Sequence, residues 1–256
     1  MNVVTITCDW GKEDYYLGCL KGRFSALGAD FSLVEISRSI PSHDVQNEAF
    51  VLKNCYKSFP PGSIHLLGVF SEPNSSEKMV ILFYDGYYFI GLNDGRFSYL
   101  FENPPAMAFE IMEIETDSTF LSIEYFIKGV KIIAENNFEA QTRAAELKRE
   151  SLRRAVYNED TIIGRVIHVD SFGNAVANID RLLFERICKG RSFTIFVQGP
   201  YLKCTTLKNG YGECEAGEVF ALFNSADLLE IGRFGLNLAT LENIDNTTEI
   251  RIKFNR

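Results

Sequence analysis

At 256 residues, 46% hydrophobic and 23% charged, the chain is long enough to bury a sizeable core, in one large domain or two. A formal net charge of -8 argues against nonspecific nucleic-acid binding, which needs a basic face to displace counterions, and against adhesion to anionic membranes. No apolar run approaches the roughly 20 residues of a membrane span.

Val3 to Cys8 is a short apolar and β-branched run, the pattern of a buried strand; it ends on Asp9, and Gly11 breaks it. Asp14 precedes Tyr15, Leu17, Leu20 and Phe24 at roughly helical spacing, so the first unit reads strand, loop, helix. A carboxylate at the carboxyl end of a strand can take two hydrogen bonds from a vicinal diol such as a ribose, or it can cap the following helix. The spacing leaves both open for Asp9. Phe31 to Ile36 predicts a second strand, Ile40 to Asp44 a loop and Val45 to Cys55 a helix. Pro60-Pro61-Gly62 stops the chain before a third apolar strand, Ser63 to Phe70. Strands alternating with helical patterns imply a mostly parallel sheet covered on both faces. Met79 to Tyr84 and Tyr87 to Gly91, joined at Asp85-Gly86, carry a hairpin signal. Ser118 to Ala134 sets Phe120, Ile123, Ile127, Val130 and Ala134 on one helical face.

From Phe138 to Asn158 charged residues crowd a stretch of low apolar content, which predicts a solvated helix or linker. Its basic cluster of Arg149, Arg153 and Arg154 suits either an anion or an ordinary solvated face. Beyond it the runs Thr161 to Val169, Asn174 to Ile179, Phe193 to Val197, Tyr201 to Leu207, Val219 to Phe223, Leu229 to Ile231 and Ile250 to Phe254 are short, β-rich and bounded by turns. They predict a small antiparallel barrel or sandwich, with Arg181 to Ile187 as its one helix. The expected organisation is an α/β domain over residues 1–157 and an all-β small barrel over residues 158–256.

Cys8, Cys19, Cys55, Cys188, Cys204 and Cys214 form no CxxC pair and no Cys/His ligand spacing, so no metal site is expected. Cys204 and Cys214 could face each other across a turn at Asn209-Gly210. The sequence enters a strand at once, without a basic n-region or signal-peptide core. The cysteines are therefore read as reduced thiols and the chain as cytoplasmic.

Three stretches together carry a family resemblance. They are Thr5-Ile6-Thr7-Cys8-Asp9-Trp10-Gly11 with Asp14, Tyr16, Gly18, Lys21 and Gly22; Gly164-Arg165-Val166-Ile167-His168-Val169-Asp170-Ser171-Phe172-Gly173-Asn174-Ala175-Val176-Ala177-Asn178-Ile179; and Asn224-Ser225 followed by Leu229-Glu230-Ile231. In this order they resemble the family that holds the S-adenosylmethionine (SAM) hydrolases, or SAM hydroxide adenosyltransferases, and the SAM-dependent fluorinase and chlorinase. The resemblance implies an α/β domain followed by a β-barrel domain, a homotrimer with sites shared between neighbouring subunits, and SAM as substrate with no cofactor. It puts Asp9 where the family's carboxylate grips the ribose hydroxyls, with Trp10 beside it in the motif. Asp170, Phe172 and Asn174 fall in the stretch holding the methionine end and stacking near the base. Ser225, in Asn224-Ser225, falls at the amino-acid end, and Arg233 and Gly235 where adenine is read. His43 takes a loop position that carries a tryptophan over the ribose in the fluorinase; an imidazole can stack there, or His43 can be a plain surface-loop histidine.

The nucleophile pocket departs from the family. The hydrolases carry Asp-Pro-Gly-Val-Gly followed by arginine, and a later histidine, as a triad that orients water. Here the stretch is Ser71-Glu72-Pro73-Asn74-Ser75-Ser76-Glu77-Lys78, with Glu72 at the Asp position, Lys78 a displaced stand-in for the arginine and Leu121 at the histidine position. The family's Pro-Asp-Asn-Gly is Leu92-Asn93-Asp94-Gly95, and Ser75 lies near a halogenase threonine. Three activities follow as expectations. The first is hydrolysis of SAM to adenosine and L-methionine, with Glu72 assisting water. The second is a catalytically weak SAM- or adenosine-binding protein, which the lost histidine and arginine favour. The third, a halogenase, is disfavoured: a carboxylate about 4 Å from a halide costs a few kcal/mol at an effective dielectric near 20.

Overall fold

The computed structural model describes residues 2–11, 13–28, 31–152 and 154–255. Arg153 of the basic cluster therefore lies outside the described residues. The chain divides into two compact units, Met1–Leu152 and Arg153–Arg256.

In the first unit β1 (Asn2–Cys8), α1 (Tyr16–Ala26), β2 (Phe31–Ser37), α2 (Val45–Lys53) and β3 (Ile64–Gly68) alternate as their sequence patterns require. The hairpin β4 (Met79–Tyr84) and β5 (Tyr87–Leu92) follows, turning at Asp85 (φ 51) and Gly86 (φ 84), left-handed at both positions as a type I′ turn demands. Then come α3 (Phe97–Leu100), β6 (Met107–Ile111), α4 (Leu121–Glu135), α5 (Phe138–Gln141) and β7 (Thr142–Glu146). Among the described residues the sheet runs β2-β1-β3-β5-β4-β6-β7. The pairs β1–β2, β1–β3 and β3–β5 are parallel, whereas β4–β5, β4–β6 and β6–β7 are antiparallel. The sheet is therefore mixed, and the mostly parallel expectation holds only for its first half. The tight hairpin reverses the chain where a crossover helix would have kept it parallel.

A second correction concerns residues 138–158. Part of that charged stretch is not a solvated helix but the edge strand β7, where Arg143 pairs with Glu110 across from it on β6. Charged side chains on an edge strand keep it from pairing with foreign strands. Arg149 donates to the Pro104 carbonyl at 2.9 Å.

Alternation along the strands divides the core. Val4, Ile6, Ile64, Leu66, Ile81 and Ile90 face α1 and α4, whose Leu20, Phe24, Phe126 and Val130 cover them. Leu67, Val80, Leu82 and Phe89 face the opposite way, against Ala49 and Leu52 of α2. His65 is buried among Tyr56, Phe59, Tyr87 and Phe89, with Nδ1 2.7 Å from the Thr5 hydroxyl. Burial pushes its imidazole down to about 4, so it is a neutral core residue.

The second unit contains β8 (Val156–Tyr157), β9 (Thr161–Val169), β10 (Ala175–Asp180), α6 (Arg181–Cys188), β11 (Phe193–Val197), β12 (Leu202–Cys204), β13 (Val219–Phe223), β14 (Leu228–Arg233), α7 (Leu238–Glu242) and β15 (Glu249–Phe254). The order is β12-β11-β15-β9-β10-β14-β13, antiparallel throughout, with β8 on β9. Its two ends approach each other: Cys204 on β12 lies 3.8 Å from the Val219 carbonyl on β13, and Lys208 bridges to Leu222. The sheet is a nearly closed barrel around Ile162, Ala177, Ile195, Leu229, Ile231 and Ile252. Asp180 caps α6 through the Leu183 amide, as its position before the apolar run requires. The second unit also holds a helix that the sequence did not predict, α7, capped by Asn237.

Candidate functional site

The connection β1-α1-β2 moves to one side of β1 and β2-α2-β3 crosses back to its other side, so the order 2-1-3 puts a topological switch point at the carboxyl ends of β1 and β3. Open α/β sheets bind ligands at such points. Asp9 stands there, one residue past β1. It does not cap α1, whose N-cap is Tyr15 with no side-chain hydrogen bond. Instead Oδ2 accepts from the His43 N–H at 3.2 Å and the Phe70 N–H at 3.4 Å, while Oδ1 carries no hydrogen bond among the described residues. Two main-chain donors, from the loops after β2 and after β3, thus hold one oxygen and leave the other without a hydrogen bond among the described residues. The rings of His43 and Phe70 meet edge to face at 4.7 Å, and Phe70 is 56% exposed. Trp10 turns inward instead: its indole is buried against Phe120 and Phe126.

His43 (φ 67) and Phe70 (φ 44) are both left-handed. That conformation costs an L-residue about 1–2 kcal/mol and persists where the surroundings over-determine it. Beneath Phe70 they do. The side chains of Arg96 and Glu48 are completely buried and paired, Nη1 to Oε2 at 3.1 Å. Arg96 also holds Asp94 bidentately, Nε to Oδ1 at 2.9 Å and Nη2 to Oδ2 at 2.8 Å. Burial pushes the Glu48 carboxyl up to about 8, the Arg96 guanidinium offsetting only part of that rise. Sequence reasoning missed this pair. Its signal was a carboxylate four residues from Leu52 on the buried face of α2, and an arginine at the foot of the Asp94-Gly95 turn.

Glu72 lies on the loop after β3 and reaches the start of α4. Oε2 accepts from the Leu121 N–H (3.0 Å), and Oε1 accepts from the Ser122 N–H (3.0 Å) and hydroxyl (2.7 Å). The helix has no cap of its own, so Glu72 supplies the acceptors that its first amides require. Leu121, at the histidine position, contributes its amide alone. Lys78 is drawn to Glu113 at 3.4 Å. Ser75 is exposed on the same loop, which Asn74 folds by accepting from Ser76 and Glu77. Asn93 fastens the end of β7 and the segment that follows, donating to the Glu146 carbonyl and accepting from the Lys148 N–H.

In the second unit Asp170 closes the turn between β9 and β10. Its Oδ1 accepts from the Phe172 and Asn174 amides at 2.9 and 2.8 Å, and Oδ2 from Asn174 Nδ2 at 3.1 Å. Phe172 projects from this turn, 75% exposed. Asn174 occupies the space beside Gly232 that a Cβ would fill, so β14 must be glycine there. Two residues earlier on the same face of β14, buried Glu230 accepts from Tyr211 Oη at 2.7 Å and from Asn224 Nδ2 at 3.1 Å. Burial and Glu230 raise the Tyr211 phenol. The structure thus brings Asp170, Asn174 and Asn224 onto one face and adds Glu230 and Tyr211, which the sequence marked only by a charge inside Leu228-Leu229-Glu230-Ile231-Gly232. Ser225 and Gly235 are exposed at turns, and Gly235 has φ 78. Arg233 makes a 3.7 Å ion pair with Glu242, while its buried Nε has no hydrogen-bond partner.

The sequence pattern of the SAM hydroxide adenosyltransferase N-terminal domain matches residues 4–143, and that of the C-terminal domain matches residues 164–251. The chain is 26% identical to the (R)-S-adenosyl-L-methionine hydrolase of Methanocaldococcus jannaschii, over 98% of this chain and 96% of that protein. A conserved protein of Thermotoga maritima has the same fold, with a TM-score of 0.84 at 21% identity over 98% of this chain and 99% of the other. So does a conserved protein of Thermus thermophilus, with a TM-score of 0.76 at 20% identity over the full length of both. With both domain patterns matched in order along nearly its whole length, the chain belongs to the SAM hydroxide adenosyltransferase family.

Proposed function

We propose that the protein hydrolyses SAM to adenosine and L-methionine. The observation that carries the reading is Asp9, moored through one oxygen at the switch point with the other free for the two ribose hydroxyls. Water attacks C5′ in line as the C5′–S bond breaks. The bond's electron pair passes to the sulfonium sulfur, which leaves as neutral thioether, and the water proton goes to a base. The sulfonium is already a good leaving group, so the protein's task is to orient the ribose and hold water behind C5′. Glu72 is the candidate base: Oε2 accepts one hydrogen bond and keeps a lone pair for water. The Asp170, Asn174 and Asn224 face, with exposed Phe172 and Ser225, is the candidate for the methionine end and the base, and Arg233 and Gly235 for adenine. Six unpaired cysteines support a reducing, cytoplasmic location.

The test is turnover of each sulfonium epimer, since the Methanocaldococcus relative is named for the (R) form. Equimolar adenosine and methionine from the parent are expected. Asp9→Ala is expected to weaken calorimetrically measured adenosine binding at least tenfold, because charge-assisted hydrogen bonds contribute about 1.5–3 kcal/mol. Unchanged affinity would remove Asp9 from the site.

A second reading, a SAM- or adenosine-binding protein of little activity, is favoured by the three donors already on Glu72 and by Lys78 being turned to Glu113. Binding without adenosine release would establish it, and chloride-dependent consumption of SAM would instead indicate a halogenase.

We also propose a homotrimer whose sites combine the first unit of one subunit with the second unit of its neighbour, on the family resemblance. Light scattering is expected to give three times the 29.0 kDa chain mass. A monomer that still binds adenosine would refute the shared site.

A further inference from the structure

Val69 and Phe70, the two residues after β3, form a strap between a buried charge pair and Asp9. All four of their backbone polar groups are engaged. The Val69 N–H donates to Glu48 Oε1 at 2.9 Å, and the Val69 carbonyl accepts from Arg96 Nη1 at 2.9 Å. The Phe70 carbonyl accepts from Arg96 Nη2 at 3.2 Å, and the Phe70 N–H donates to Asp9 Oδ2. Arg96 is the junction, its one planar fork reaching two carbonyls and two carboxylates. A lysine, a single compact charge, cannot span those directions together. The Val69 carbonyl and the Phe70 N–H share one planar peptide unit, which Arg96 fixes at the carbonyl, so that the N–H on its other side is aimed at Asp9.

We propose that Arg96 and Glu48 are positioning residues for the ribose site: they hold the Val69–Phe70 strap, and the strap sets the direction of the Asp9 carboxylate. The proposal rests on the assignment of Asp9 to the ribose hydroxyls. The competing account is a buried ion pair that serves stability alone. The two separate because a buried pair can be exchanged for apolar side chains of similar volume with little loss of stability, whereas apolar side chains cannot hold the strap's polar groups.

The experiment compares the parent, Asp9→Ala, and the double variant Glu48→Met with Arg96→Met, with thermal unfolding as a check on folding. Affinity is measured calorimetrically for adenosine and for 2′,3′-dideoxyadenosine, which lacks both hydroxyls that Asp9 would bind. The parent is expected to prefer adenosine by at least about tenfold, and Asp9→Ala to lose that preference. The double variant is expected to bind the dideoxy compound within about twofold of the parent, while its preference for adenosine falls at least about threefold. Full preference in the double variant, or an equal fall for both ligands, overturns the positioning role while Asp9 stands. Full preference in Asp9→Ala overturns the Asp9 assignment and this inference with it. Arg96→Lys, which keeps the charge and loses the fork, supports the same comparison if the double variant does not fold, and full preference there overturns the role equally.

Discussion

Glu72→Gln is expected to lower kcat for SAM hydrolysis by about 10²–10⁴-fold, the usual contribution of a positioned general base, with adenosine affinity nearly unchanged. Water needs help to attack, and Glu72 is the only carboxylate at one of the family's triad positions in this sequence. Its anchoring makes the test demanding. The amide of glutamine has one acceptor oxygen where the carboxylate has two, so it faces donors of Leu121 or Ser122 with its own N–H. A loosened α4 would appear as lost thermal stability, whereas a lost base appears in kcat with KM preserved. Ser122→Ala separates them further. It removes the hydroxyl donor but keeps the carboxylate, and should cost less than tenfold in kcat. If Glu72→Gln turns over as fast as the parent, Glu72 is only the anchor of the helix.

Arg96→Met alone is expected to lower the free energy of unfolding by about 3–5 kcal/mol, because Glu48 is left as an uncompensated buried carboxyl. Denaturant unfolding measures it, and adding Glu48→Met should recover most of the loss. The pH dependence has a definite sign. Burial raises Glu48 from its ordinary 4.5 to about 8, so the folded state binds that proton more tightly than the unfolded chain. Its contribution is therefore fully present below about 4.5 and declines as pH rises to about 8, where the parent levels off as Glu48 ionises beside Arg96. Without Arg96 the carboxyl is pushed higher and the decline continues, so the variant's deficit should widen above pH 8. A deficit that narrows there would show that Glu48 ionises without help from Arg96.

Much of the fold was legible where local chemistry is decisive. The β-branched run into Asp9, the Asp85-Gly86 hairpin and the strands Thr161–Val169, Phe193–Val197 and Val219–Phe223 form where their residues predict. The misses have identifiable causes. β7 is an edge strand whose charges mask its pairing, and β6 is a short segment that pairs with it. Parallel pairing was overcounted because strand order cannot be read from alternation once a hairpin intervenes. In the site, Asp9 was visible as a carboxylate at a strand end. Glu48 and Arg96 were not paired in the reading, because they are 48 positions apart and meet only through the packing of α2 under the end of β3. Glu230 lay within a recognised motif, yet its partner Tyr211 comes from a separate turn.

A main-chain N–H is the same group whatever side chain its residue carries. The grip on Asp9 by residues 43 and 70 is thus indifferent to most point mutations at those positions. In evolutionary terms the anchor is heritable apart from the identity of the residues that make it. The left-handed backbone at both sites disfavours β-branched replacements, and proline, which has no N–H, is barred outright. Within those bounds the exposed imidazole and phenyl ring can drift, reshaping the rim around the carboxylate while the carboxylate stays in place. A lineage can in this way vary the rim without first displacing the carboxylate.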